Sequence, residues 1–338
     1  MDDGAENHFL GLTYPHPFVT DHTLNDNLPT PGETQPFISS NRPPPATSVG
    51  ALDWLPPELV QEILLYLDLR SLTNVRRVNR RALDFVESLP QIKAVMAHAH
   101  DALRGILLIG TGGWITCREL YEKLCTFECE RCGDFGGYLY LLTCRRVCFL
   151  CLSEEPSFLP LTPTRAIRKL GLNRQIIETL PRMKVIPGIY SPNEKKAARS
   201  VLVDYDSALN AAVRYHGSID TMRAYVSRRE TQDLEAYHER LAVSRDSPST
   251  RARRHRPRTT DPFDGQSGNP LRFVASSCTP WFDKKAQEVH WGFHCIGCEK
   301  SKERPLHWRQ KYTPESFQNH LERFGDIRDA EHVGKERV

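Results

Sequence analysis

The chain has 338 residues, 39% hydrophobic and 26% charged, enough to bury a sizeable core in about two domains. Its 45 Lys and Arg against 42 Asp and Glu leave a net charge of only +3, which excludes a strong overall pull toward nucleic acid or an anionic membrane. No apolar run approaches the ~18 residues of a membrane span and the opening MDDGAENHFLGL lacks the basic-then-apolar order of a secretory signal, so the sequence reads as intracellular.

Residues 1–50 are rich in Pro, Thr, Asn and Gly, include Asn41-Arg42-Pro43-Pro44-Pro45 and show no sustained hydrophobic period, which predicts a disordered arm. At Leu52 the character changes. Pro56 and Pro57 suit the first turn of a helix whose apolar face is Leu59, Ile63 and Leu67, with Val60 and Leu64 beside them. Asp68 and Ser71 mark a break, after which Leu72, Val75 and Val78 give a second short helix. Asn79 can cap a third, carrying Ala82, Leu83, Val86 and Leu89. A module spanning 51–90, about 40 residues, cannot cover these faces by itself and calls for a partner or further structure.

The next section, 91–160, begins as a helical spacer. Asp101 can cap a helix through Leu108, and Thr116-x2-Glu119 is a capping box opening 117–124. Gly110, Gly112 and Gly113 read as a turn, because no Gly-Lys-Ser/Thr follows to make a phosphate loop. Six of the ten cysteines then fall between Cys125 and Cys151. Cys129-x2-Cys132 and Cys148-x2-Cys151 are two thiolate pairs with the spacing of four-coordinate zinc. In a reducing compartment such pairs favour metal over disulfides. The triplets 125, 129, 132 and 144, 148, 151 repeat one spacing, so ligand choice within each stays open. The two-residue knuckle favours Cys129, Cys132, Cys148 and Cys151, with Cys125 and Cys144 as buried or outer thiols. Gly133 at positive φ, a turn at Gly136-Gly137 and a strand over 138–142 outline a zinc-pinned hairpin. Arg131, Arg145 and Arg146 are placed to offset the charge of about −2 on a four-thiolate zinc.

Section 161–245 reads as helical, with a short basic helix over 164–172, a helix ended by Gly217 and a longer one over 219–243. Section 246–269 is a disordered linker whose Arg251, Arg253, Arg254, Arg256 and Arg258 read as solvated charge. In section 270–338 apolar residues return with Cys295-x2-Cys298 and His320, the last between Phe317 and Leu321 on an amphipathic helix that Thr313 can cap. These are three ligands of a second zinc site. The fourth is left to Cys278, His290, His294 or His332. The fold class expected is mainly α with small zinc-stapled β-hairpin elements.

Leu55-Pro56-Pro57-Glu58-Leu59, Ile63-Leu64, Tyr66-Leu67-Asp68, Leu72 and Val75 through Val78, followed by Asn79-Arg80-Arg81, resemble the F-box. Asn79 stands where that motif usually has Ser, and the Trp that usually follows is absent, with Arg81-Ala82 in its place. From about residue 52 to 171 the order of box, helical spacer and cysteine cluster is similar to filamentous-fungal F-box proteins. The resemblance implies a three-helix box that docks the Skp linker, and through it a cullin, while the rest presents a target protein for ubiquitination. It further implies that the chain is a non-catalytic adaptor. Docking would fall to Leu55, Pro56, Pro57, Leu59, Ile63, Leu64, Leu67, Leu72, Val75 and Val78 as apolar anchors leaving water.

The alternative is a zinc-cluster DNA-binding transcriptional regulator, which also uses six cysteines. That type needs C-x2-C-x6-C halves with interleaved basic residues, whereas this chain has C-x3-C-x2-C twice with an apolar strand between. A thiol oxidoreductase would open a helix after a strand in a βαβ unit, which is not visible, and a catalytic zinc would want an open coordination position.

Overall fold

Prolines at first helical turns and polar capping side chains set most of the helix boundaries in the computed structural model, which describes residues 9, 11–15, 19–30, 48–243, 267–299 and 306–333. The proline run 43–45 and the arginines at 251–258 lie outside the described residues. In the box, α1 (Pro57–Tyr66) starts on proline, as expected. The Asp68 carboxylate accepts the Ser71 amide at 2.8 Å to open α2 (Leu69–Arg76), and Asn79 accepts the Ala82 amide at 2.8 Å to open α3 (Arg80–Ser88). The spacer contributes α4 (Pro90–His98), α5 (His100–Ile109) and α6 (Cys117–Leu124), the last opened by the Thr116/Glu119 capping box. Asp101 sits inside the first turn of α5, where it pairs with Arg104 at 3.3 Å instead of capping.

The spacer supplies much of the cover that the box lacks. Val60, Leu64, Leu65, Leu69 and Leu72 of the box share one apolar core with Ile92, Val95, Ile106, Ile109, Ile115 and Leu120. The α5–α6 turn is stitched to the start of α2, where the Leu69 amide donates to the Ile115 carbonyl at 2.8 Å and the Arg70 amide to Gly112 at 3.1 Å.

After α6 the chain forms a three-stranded antiparallel sheet. Tyr138–Tyr140 is its centre, with Arg145–Val147 on one side and Ser276–Cys278 on the other. The segment that follows the linker is therefore built into the sheet of the cysteine hairpin, and Phe273, Val274, Ala275 and Phe282 join the same core. The hairpin turns between its strands, with Cys144 at φ 50°, and not at Gly136-Gly137 as the sequence suggested. Gly136 answers a different need: a Cβ there would meet Arg146 Cγ at 2.7 Å. The strand is also shorter than 138–142, since Leu141 and Leu142 lie in the turn.

A second core holds Leu161, Ala166, Leu170, Ile177, Val203, Ala208, Ala212 and Met222, packed between Pro163–Leu170, Tyr205–His216 and the start of Ile219–Val243. Alongside these helices the region carries two strand pairs, Arg182–Lys184 with Val201–Val203 and Gly188–Tyr190 with Lys195–Ala197.

Part of the segment ahead of the box packs. Thr13–Tyr14 pairs antiparallel with His294–Cys295. Leu24 is fully buried against Gly105, where an added Cβ would lie 2.9 Å from Leu24 Cδ2. Asp21 accepts the Tyr138 hydroxyl proton and pairs with the buried Arg309. These contacts reach distant parts of the chain, which is why no local period announced them.

Candidate docking face and metal centres

On α1, residues four apart share a face, and Leu59 and Ile63 are 52% and 46% exposed. Leu55 and Val78 add to the exposed apolar surface at 37% and 70%, and Pro56 and Pro57 are exposed as well. Trp54 and Tyr66 extend the set, at 90% and 65% exposed. Neither was placed in the docking set from the sequence, although Tyr66 belongs to the motif quoted there and 59, 63 and 66 follow the helical period. Leu67 and Val75 are half-buried. Leu64 and Leu72 must be withdrawn from the docking set, because both are buried in the chain's own core. Leu64 follows Ile63 by one position, a rotation of about 100°, which turns it inward.

So many large apolar side chains left in water on one small module mark a surface built for a partner. Residues 52–93 match the family described as the F-box domain. The chain carries an F-box. No curated protein and no solved structure matches it. An F-box in general binds the Skp linker within SCF ubiquitin ligases, which supports a substrate-adaptor role in broad terms. Among the described residues no helix is long and apolar enough to cross a membrane.

Downstream of the F-box, the sulfurs of Cys129, Cys132, Cys148 and Cys151 all lie within 4.8 Å of one another. Cys132 and Cys148 stand 3.6 Å apart, close to the edge of about 3.8 Å that a tetrahedron with zinc–sulfur bonds of about 2.3 Å would have. Gly133 takes φ 82° so that its amide can return to the Cys129 carbonyl at 2.9 Å, which closes the first knuckle. The second knuckle opens the helix Phe149–Glu154, whose Cys151 amide donates to Cys148 Sγ at 3.4 Å. Hydrogen bonds from Cys132, Cys148 and Cys151 hold the Cys129 thiol far below its ordinary range. Cys125 and Cys144 fall outside the set. Burial pushes the Cys144 thiol up to about 12 and also raises Cys125. None of the ten cysteines forms a disulfide.

The arginines expected to balance the thiolates are engaged elsewhere. Arg131 pairs with Glu155 at 3.4 Å, and Arg145 with Asp206 at 2.7 Å. Arg146 is wholly buried and spends its guanidinium on the carbonyls of Lys123, Gly136, Thr279 and Pro280. It acts as a clamp between the hairpin and the last sheet strand's exit.

A second cluster joins Cys295, Cys298, His320 and His332, again with ligand atoms within 4.8 Å of one another. Cys298 Sγ lies 3.3 Å from His320 Nε2 and 3.4 Å from His332 Nε2, and the two Nε2 atoms are 3.2 Å apart. Tetrahedral edges built from zinc–nitrogen bonds of about 2.0–2.1 Å and zinc–sulfur bonds of about 2.3 Å come to about 3.3–3.6 Å. With Nε2 turned to the centre, each Nδ1 is free to hold the proton. His320 Nδ1 faces the Tyr312 hydroxyl at 3.1 Å and His332 Nδ1 faces the Gly325 carbonyl at 3.0 Å, partners that fix ring and tautomer. The hydrogen bond from Cys298, with help from His320 and His332, lowers the Cys295 thiol to about 3.

Of the four residues left open as the fourth partner, His332 is the one brought in. The hairpin Asp326–Arg328 with Glu331–Val333 folds back to deliver it. Cys278 is in the sheet, the His290 ring packs on Trp281 at 4.9 Å, and His294 stacks on Tyr14 with Nδ1 at 3.1 Å from the Gln310 carbonyl. Phe317 and the Thr313 cap occupy the places expected of them on Pro314–Phe324.

Proposed function

We propose that this chain is the substrate-recognition subunit of an SCF-type cullin-RING ubiquitin ligase. Its box docks the Skp linker through Leu55, Pro56, Leu59, Ile63 and Val78, and the remaining cores present a target protein to the ubiquitin-conjugating machinery. The observation that carries the reading is the division within the box. One set of apolar residues is buried against the chain's own spacer, while Leu59, Ile63 and Val78 stay in solvent. In this role the chain contributes proximity and holds no bond-making residue.

Both clusters then serve as structural zinc sites, Cys129, Cys132, Cys148 and Cys151 in the first and Cys295, Cys298, His320 and His332 in the second. Four protein ligands on each ion leave no open position for a substrate or an activated water. The DNA-binding alternative draws no support from the cluster. It would need its arginines free to meet phosphates, but Arg131 and Arg145 are ion-paired and Arg146 is buried.

Replacing Leu59 and Ile63 together with Asp should abolish co-purification with the Skp linker while leaving far-ultraviolet circular dichroism and metal content unchanged, since both side chains face water in the free protein. Undiminished co-purification of the double variant would overturn the assignment.

A further inference from the structure

The exposed apolar surface of the box does not end with the box. Residues 112–117 run antiparallel along the corner between α1 and α2. There the Leu67 carbonyl accepts the Cys117 amide at 3.4 Å, Asp68 bridges to Thr116, and the Leu69 and Arg70 amides donate to Ile115 and Gly112. Trp114 sits in this run, outside the matched residues 52–93, and leaves 49% of its surface in water. In the first turn of α6 the Arg118 guanidinium lies 4.7 Å over the Tyr66 ring and pairs with Glu62. Tyr66 belongs to the face of α1 that carries Leu59 and Ile63, so this stack joins the open face of the box to the spacer.

The spacer edge is held in place before any partner arrives. The Trp114 amide donates to the Thr111 carbonyl at 2.9 Å to close a turn, and the Thr116/Glu119 capping box fixes the chain two residues further on. Covering a preset surface of this kind costs little ordering entropy. The size of the box argues for what covers it. A stable interface takes about 800 Å² and about 20–30 residues from each partner. The exposed large apolar residues of the box are six, Trp54, Leu55, Leu59, Ile63, Tyr66 and Val78. A partner seated on α1 and large enough to hold the box therefore runs past Tyr66, and the surface it meets next is Arg118 and the run that carries Trp114.

We infer that the docking face for the Skp linker continues off the box onto the spacer, with Trp114 as an outer anchor filling an apolar recess of that partner and the Tyr66–Arg118 stack as the joint between the two halves. This rests on the adaptor reading for the identity of the occupant. Box and spacer are then gripped together, and because the spacer shares its core with the cysteine hairpin, the grip fixes the direction in which the rest of the chain points from the ligase.

The test compares the full chain, free and bound to the purified Skp linker, by hydroxyl-radical footprinting, which reads tryptophan side chains without any substitution. Trp291, in the C-terminal region and 45% exposed, is the internal control. Binding should slow oxidation of Trp114 severalfold and leave Trp291 unchanged. Trp114→Ala should weaken Skp-linker binding by about tenfold or more, with metal content and far-ultraviolet circular dichroism unchanged, whereas Trp291→Ala should change it by less than about twofold. Oxidation of Trp114 at its free rate within the complex, or a Trp114→Ala affinity within about twofold of the parent, would overturn the proposal, assign Trp114 to another partner and leave the adaptor reading standing. An equal loss of affinity in Trp291→Ala would overturn it too, since the effect would not belong to this edge. Should Trp114→Ala fail to fold, footprinting of the parent chain decides alone. A parent chain that does not bind the Skp linker would strike the adaptor reading and the proposal with it.

Discussion

Asp204 shows how one residue can hold a local role and a global cost at once. Its carboxylate caps Tyr205–His216 by accepting the Ser207 amide at 2.8 Å and the Ser207 hydroxyl at 2.7 Å. Burial nevertheless raises its pKa, against the lowering effect of the Ser207 bonds. A carboxyl whose folded pKa is raised stabilises the fold most below its unfolded value of about 4, and that contribution is lost as pH rises through the folded pKa. Asp204→Asn keeps a good cap without a charge to bury. Its thermal midpoint, compared with the parent protein, should therefore gain as pH rises from about 4 to 7, whereas Asp204→Ala should lose about 1 kcal/mol at acidic pH through the missing cap. A parent-to-Asn difference independent of pH would count against the burial argument. The capping itself lay open in the sequence wherever it was local, as at Asn79, Thr116 and Thr313. His332 was only one of four choices, because the hairpin that returns it to Cys295 and Cys298 has no signal in the residues around it.

At the scale of elements, the box helices and α6 were legible because amphipathic period and caps are written within one or two turns. The division between Leu59 and Ile63 outside and Leu64 and Leu72 inside was not, since it depends on where the spacer settles. Still less visible was the stretch of residues 19–30 ahead of the box, whose polar composition hides a single deeply set anchor. Leu24 fills the space over Gly105 that any side chain there would occupy, and the neighbouring Leu24 amide donates to the Ser276 carbonyl at 3.0 Å. Leu24→Ala should destabilise the protein by about 2–5 kcal/mol in urea unfolding, a core-sized loss from a stretch that resembles a linker. A change within experimental error would show that this stretch contributes little to the folded core.

Across the whole molecule, the strand Ser276–Cys278 makes the first cysteine module and the region after the linker one cooperative structure, and the box shares their core. Metal should therefore support more than its own knuckles. Phe149, Leu150 and Leu152, which follow Cys148, are all buried in the main core. Stripping the metal with a strong chelator should lower the thermal midpoint by more than about 10 °C and take box helices and sheet together in one transition. A transition that left the midpoint in place, or melted a separate small unit, would contradict that coupling.

The strand Thr13–Tyr14 and its partner His294–Cys295 set an order of events during synthesis. Asp21 and Arg309 stand 288 positions apart, so the stretch around residue 21 must wait until residue 309 has left the ribosome before its contacts can close. The four cysteines between 129 and 151, by contrast, are all available long before residue 309 is made. Nascent chains stalled at residue 270 should hold the first metal yet expose residues 11–15 to protease, and extension through residue 333 should close both the second cluster and that strand in a single late step.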